Sequence, residues 1–430
     1  MKIYISGISG TGMGPLALMA RAAGFEVCGS DLSAGAIYDE LIKAGIDVFI
    51  GEQDGEFLKK HLEGLDWFCY TSALPKDHPE LLMAKEAGVK VTKRDDLTAF
   101  LVEKLGLNMV AVAGTHGKTT TTAMIVWGAL KFGLPVSYIV GTTLGFAPSG
   151  AYHPGDKFFV YEADEYDKNF LKYHPWLAVI PFVSYDHPDI YPTEEDYKKA
   201  FEQFEKQSEK VIKNSENGLI LQNDKILEYV QDAINKAEFR LAGEARRNDA
   251  RLALAALCDI WGFHGRGVPY QDLVDHFVDI LNEFPGVGRR FEKLRDGLYT
   301  DYAHHPEEIK ATMEIAKEQA ELDGKKGVVV VYQPHQNTRQ HAVKDNYREA
   351  FVGADRIFWL PTYLTREDPN LPVLTPVDLA KNLVNEDVVE VAELSQGLEI
   401  RIRDYLEKGY LVVLMTAGPA DDWLRKKFML

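Results

Sequence analysis

The feature that most constrains this chain is an apolar run, Asn108-Met109-Val110-Ala111-Val112-Ala113, that leads into Gly114-Thr115-His116-Gly117-Lys118-Thr119 and then Thr120, Thr121 and Thr122. A buried strand, a glycine loop and a helix in that order aim backbone N–H groups and a helix N-terminus at one point, an arrangement suited to phosphate. Lys118 would meet the β- and γ-phosphates of a nucleoside triphosphate, and Thr119 would offer its hydroxyl to Mg²⁺. Gly114, Thr115, His116, Gly117 and Thr120 would line the phosphate tail. The strict pattern wants a glycine five residues before Gly117, where this chain has Val112, so the loop is a variant. The competing reading is a glycine-rich turn with a chance lysine; the flanking strand and helix and the threonine run weigh against it.

A bound triphosphate needs acidic or imidazole groups to hold its cation. Glu162-Ala163-Asp164-Glu165 ends the next clear strand (157–162), and Asp186-His187 follows another (177–183). Neighbouring strand ends in a parallel sheet open into one crevice, so Glu162 and His187 are the expected metal ligands. Either cluster alone would read as a solvated acidic turn.

The N-terminus repeats the strand, turn, helix theme. Residues 2–8 read as a strand, Gly7, Gly10 and Gly12 as a turn, 13–23 as a helix and 26–31 as a second strand ending at Asp31, 19 residues after Gly12. Ser9 breaks the G-x-G-x-x-G order, which weakens a nicotinamide-dinucleotide reading but leaves pyrophosphate binding open. Shorter strands are expected at 46–50 and 66–70. The spacing predicts a helix over 123–132, a long charged helix over 194–214, and a third α/β segment with strands at 297–302, 327–332 and 410–415 and a helix at 306–320. Its strand-end loops carry Asp301-Tyr302-Ala303-His304-His305 and Pro334-His335-Gln336-Asn337-Thr338-Arg339. The paired histidines read as ligand contacts or helix caps before zinc ligands. Arg289-Arg290 reads as a cleft cation or a solvated basic pair.

At 430 residues the chain exceeds one hydrophobic core. Expected boundaries give 1–107 as a Rossmann-like domain, 108–284 as a phosphate-loop domain and 285–430 as a second Rossmann-like domain, all α/β. Lys and Arg total 48 against 65 for Asp and Glu, a net charge of −17 that repels nucleic acid and anionic membranes. Three scattered cysteines and the lack of a long apolar run point to a reducing cytoplasm, with no disulfide framework, leader or membrane span. Oligomeric state is not legible in these patterns.

GISGTGM, TSAL at 71–74, AVAGTHGKTTTT, EADEYDKNFL, DHPDIY, RRF, DYAHHP and QPHQNTR occur in that order, and together they resemble the Mur ligase family across the whole chain. The resemblance implies an ATP- and Mg²⁺-dependent ligase of the type that joins L-alanine to UDP-N-acetylmuramate through an acyl phosphate. It implies UDP-sugar contacts at Gly7, Gly10, Thr11, Gly12, Met13, Asp31 and Ser72, and ATP contacts at Arg290 and Asp301. Lys118, Glu162, His187 and His305 would take part in catalysis, while His305, His335 and Arg339 would orient the amino acid. Three departures stand out. Residues 243–250 read GEARRNDA where relatives carry G-x-H-N-x-x-N-A, the stretch 213–242 is short of a strand-rich segment, and Gln336-Asn337-Thr338 is similar to the branch that recycles a murein tripeptide. That branch, a weakened UDP-sugar-binding relative and a nicotinamide dehydrogenase are the alternatives.

Overall fold

The computed structural model describes all residues except 188–189, 216–217, 224, 264–269, 366 and 430. The chain divides into two compact units, Met1–Phe239 with Asn248–Pro285, and Arg240–Arg247 with Gly286–Leu430.

The first unit carries two sheets. One is wholly parallel and is built from β1 (Lys2–Ser6), β2 (Glu26–Asp31), β3 (Asp47–Ile50), β4 (Trp67–Tyr70) and β5 (Lys90–Lys93), in the order β3-β2-β1-β4-β5. The other contains β6 (Asn108–Val112), β7 (Val136–Ile139), β8 (Gly150–Ala151), β9 (Phe158–Glu162), β10 (Leu177–Ile180), β11 (Lys210–Ser215) and β12 (Gly218–Gln222). Its order is β12-β11-β10-β6-β9-β7-β8, parallel through the centre with an antiparallel strand at each edge. Both sheets contribute to a single apolar core that includes Ile3, Ile5, Met109 and Tyr161, which is why they form one unit.

The second unit has one sheet: β13 (Glu292–Arg295), β14 (Leu298–Asp301), β15 (Val328–Gln333), β16 (Arg356–Trp359), β17 (Val389–Val391) and β18 (Leu411–Thr416), in the order β13-β14-β18-β15-β16-β17. All neighbours are parallel except β13 and β14. The VVVVYQ run of β15 is buried at every position, because Val328, Val330 and Tyr332 face one core while Val329 and Val331 face another. The sequence thus reads as a continuous apolar run, the signature of a strand covered on both sides.

Three element boundaries differ from expectation by three residues or more. The helix expected from residue 123 begins at Lys118 and runs to Phe132. Its four threonines have low intrinsic helix preference, but they occupy the first turn, and the Thr122 hydroxyl donates to the Lys118 carbonyl at 2.7 Å. The long helix expected over 194–214 stops at Lys206, and 210–215 is β11 instead. Thr193 caps that helix and three acidic residues fill its first turn, so its start was marked, whereas no Gly or Pro marks its end. The strand expected over 177–183 ends at Ile180, because Pro181 supplies no N–H to the ladder.

Candidate active site

β6 delivers the chain to the phosphate loop, and the loop is stitched to the exit of β10. Ala113 N donates to Val179 O at 3.0 Å and Thr115 N to Phe182 O at 2.8 Å. The Thr115 hydroxyl donates to Ser184 O at 2.7 Å and accepts from Ser184 N at 2.9 Å. Glycine is required at two loop positions. At Gly114 a Cβ would come within 2.7 Å of Phe182 O, and at Gly117, with φ +83°, a Cβ would lie 2.6 Å from an Asp249 carboxylate oxygen.

Lys118, the first residue of the helix, turns its ammonium back into the loop. It donates to Gly114 O, to Thr115 O at 3.3 Å and to Glu165 at 2.8–3.0 Å. Burial works to neutralise this lysine, but the carboxylates of Glu165, Asp164 and Glu162 outweigh it and hold the ammonium above its ordinary pKa. Glu165 is 2% exposed, and its own carboxyl is raised by burial despite Lys118, with Asp164 adding to the rise. Three carboxylates around one ammonium leave surplus negative charge.

Glu162, at the end of β9, accepts from the Thr119 hydroxyl at 2.9 Å and from Gly141 N at 3.3 Å. His187 adopts φ +58° beyond β10, with Nε2 3.7 Å from both Glu165 and Asp186. Glu165 therefore joins Lys118 to His187, while Thr119, the residue after Lys118, bonds Glu162. Glu165 was not singled out from the EADE run, since alternation along a strand end does not tell which of three acids turns inward. Pro188 and Asp189 of the DHPDIY run lie outside the described residues.

At the N-terminal glycine turn, Gly7 N and Ile8 N donate to Ser30 O, at 2.8 and 3.1 Å. Asp31 accepts from Ser9 N at 2.9 Å and from Leu32 N at 2.8 Å, so its carboxylate shapes the turn. Gly10, Thr11 and Ser72 are exposed, Gly12 is half-buried, and Met13 is buried in the core. Beneath the turn lies Glu80, 0% exposed, which accepts from the hydroxyls of Tyr4, Ser6 and Ser30 and from Gln53. Sequence gave no sign of this cluster, because one buried glutamate on an otherwise ordinary helix carries no periodic signal.

In the second unit, Asp301 accepts from Phe291 N at 2.6 Å, Ala303 N at 2.7 Å and the Thr312 hydroxyl at 3.2 Å. Burial raises its carboxyl, with Arg290 opposing. Arg289 and Arg290 lie over the Tyr302 ring, at 4.7 and 5.0 Å. His305 is the N-cap of helix Pro306–Leu322. The His304 ring packs edge-on against His335 at 5.7 Å, and the half-buried Arg339 adds its positive charge to the burial that lowers the His304 pKa. Asn337, 1% exposed, donates to Pro372 O at 3.1 Å and accepts from Leu374 N at 2.9 Å, so it holds a loop. Glu367 secures the same turn by accepting from Asn337 N and Thr338 N, at 3.0 and 3.1 Å. In the 243–250 stretch, Gly243 N and Arg247 both bond Glu318, at 2.8 and 2.7 Å. Asp249 accepts from Thr121 at 3.1 Å beside the phosphate loop.

Residues 2–104 match the Mur ligase family, catalytic domain; 112–257 match the Mur ligase middle domain; and 289–418 match the Mur ligase, glutamate ligase domain. A UDP-N-acetylmuramate--L-alanine ligase of Thermosynechococcus vestitus is 30% identical over 96% of this chain and 92% of its own length. The fold is similar to that of the UDP-N-acetylmuramate-alanine ligase of Thermotoga maritima, with a TM-score of 0.76 at 22% identity over 100% of this chain and 98% of that one. It is also similar to a murein peptide ligase from Psychrobacter arcticus, with a TM-score of 0.62 at 23% identity over 100% and 98%. With a relative of that identity matched along nearly its whole length, the chain belongs to the Mur ligase family.

Proposed function

We propose that the chain is an ATP-dependent ligase that joins the carboxylate of UDP-N-acetylmuramate to the amino group of L-alanine. The observation that carries this reading is the Lys118 ammonium, fixed in a strand-to-helix loop and faced by Glu162, Asp164 and Glu165. The first curated relatives, 29–31% identical, carry the alanine ligase name and support the choice of amino acid.

In this reading, residues 1–107 take the UDP-sugar, 108–284 take ATP and 285–430 take the amino acid. The loop amides from Gly114 to Thr120 bind the phosphate tail, and Lys118 exchanges its loop carbonyls for β- and γ-oxygens. A UDP-sugar carboxylate oxygen attacks the γ-phosphorus, the bond to ADP breaks, and an acyl phosphate forms. The L-alanine nitrogen then attacks the acyl carbon, phosphate leaves, and the nitrogen loses a proton. Lys118 lowers the repulsion between two anions in the first step. Hard oxygen donors, Thr119 Oγ1 and Glu162 at 2.9 Å, beside surplus carboxylate suit Mg²⁺, with His187 a second contact. Bound there, the ion would neutralise charge on the transferred phosphoryl group. Asp301 and Arg290 serve the nucleotide, and His305, His335 and Arg339 serve the amino acid. We place the protein in the cytoplasm on its three buried free cysteines; among the described residues no helix is long and apolar enough to cross a membrane.

The test is ADP release with UDP-N-acetylmuramate and a panel of amine acceptors. L-alanine should stimulate release most. Stimulation by the L-Ala-D-Glu-diaminopimelate tripeptide alone would shift the assignment to the recycling reaction, and stimulation by no acceptor would end the ligase reading.

A further inference from the structure

The sequence run Lys93-Arg94-Asp95-Asp96 has no part in the chemistry described so far, yet each of its four residues bonds to the segment that carries the acidic cluster. Lys93 pairs with Asp167 at 2.7 Å, Arg94 lies 3.7 Å from Asp164, and Asp96 pairs with Lys172 at 3.2 Å. Asp95, 2% exposed, accepts from the hydroxyls of Tyr161 and Tyr173, at 3.3 and 3.0 Å. Tyr161 is the residue before Glu162 on β9. The run begins at the end of β5, the edge strand of the first sheet, and its partners belong to the second sheet's acidic loop, within one compact unit.

The loop it grips is not relaxed. Asp167 and Lys168 hold φ of +54° and +57°, conformations that persist only where surroundings impose them. Lys168 N donates to Glu165 O at 3.1 Å and Phe170 N to Asp164 O at 3.0 Å, so the kink and the two acids move as one piece. The guanidinium of Arg94 also reaches the other way. It lies so close to the N-terminal glycine turn that a Cβ on Gly12 would come within 2.9 Å of Nη1. One planar cation thus stands between the UDP-sugar turn and the carboxylates around Lys118. Its fork can keep one N–H group on Asp164 while another follows the backbone of the turn.

We infer that Arg94 is a positioning residue that couples occupancy of the Gly7–Gly12 turn to the placement of Asp164 and Glu165 beside Lys118. This rests on the proposed function, because it takes a UDP-sugar at the turn and a nucleotide at the loop. Filling the turn would fix the Arg94 fork, and the fork would fix the acidic loop for Mg²⁺ and phosphates. The coupling is reciprocal by linkage.

The experiment is calorimetric titration of the full chain with magnesium β,γ-methylene-ATP, with and without saturating UDP-N-acetylmuramate. In the natural protein the UDP-sugar should tighten the analogue by about fivefold or more. In Arg94→Gln the ratio should fall to about one while each ligand alone still binds. Arg94→Lys, which keeps the charge but not the fork, should also lower the ratio and is the deciding variant where Arg94→Gln fails to fold. A ratio of one in the natural protein, or an unchanged ratio in both variants, overturns the inference. Failure of the natural protein to bind either ligand alone would sink the proposed function and this coupling with it, a result distinct from two ligands that bind without synergy.

Discussion

Two junctions in this protein share one local design and differ in chemistry. At the end of β1, and again at the end of β6, a parallel strand passes through glycines into a helix that presents backbone amides. At the first, the nearest carboxylate is spent on the turn itself: Asp31 accepts from Ser9 N and Leu32 N, and Glu80 is locked beneath by three hydroxyls and an amide. At the second, an ammonium stands inside the loop and the acids at the neighbouring strand ends face it. The strand, loop, helix unit by itself only supplies a place for phosphate. The side chains at adjacent strand ends decide whether that place merely holds a ligand or also activates it.

The two junctions should differ most in their response to loss of Lys118. Lys118→Ala should lower turnover on the order of a thousandfold, read as ADP release, with UDP-sugar affinity unchanged, since that ligand is assigned to the other junction. Equal loss of both would merge the two sites. Next is Glu80→Ala, which strands the buried hydroxyl donors of Tyr4, Ser6 and Ser30 and should cost about 3 kcal/mol in urea unfolding. A loss near zero would mean that the turn needs no support from below. Glu162→Gln keeps the bond from Thr119 but removes a charge, and should lower kcat about a hundredfold, with partial recovery at high Mg²⁺. Recovery that does not depend on Mg²⁺ would take Glu162 out of the metal set. Smallest is Asp31→Asn, expected to raise the UDP-sugar KM about tenfold with kcat little changed, the worth of one charged hydrogen bond. A kcat effect larger than the KM effect would show that the first junction does more than hold.

Much of the architecture was legible because it is written in local patterns. β15 and β6 are apolar runs, β2 spans the expected residues, and Lys118, Thr119, Glu162 and His187 sit at strand ends that the order of elements brings together. What escaped was set by tertiary partners. Nothing local distinguishes Glu165 from Asp164, yet one is 2% exposed and the other faces Arg94. Residues 210–215 continue the charge pattern of the preceding helix, and only pairing with β10 and β12 makes them a strand. Asn337 stood out only within the Gln336-Asn337-Thr338 run, whereas its side chain is committed to Pro372 and Leu374, residues too distant in sequence to suggest the pairing.

Titration of ATP into the full chain with and without Mg²⁺ tests most directly whether the loop at Lys118 holds a triphosphate with a divalent cation. Binding should be tight with Mg²⁺, markedly weaker without it, and lost in Lys118→Ala. Affinity that is absent, or the same whether or not Mg²⁺ is present, would contradict it.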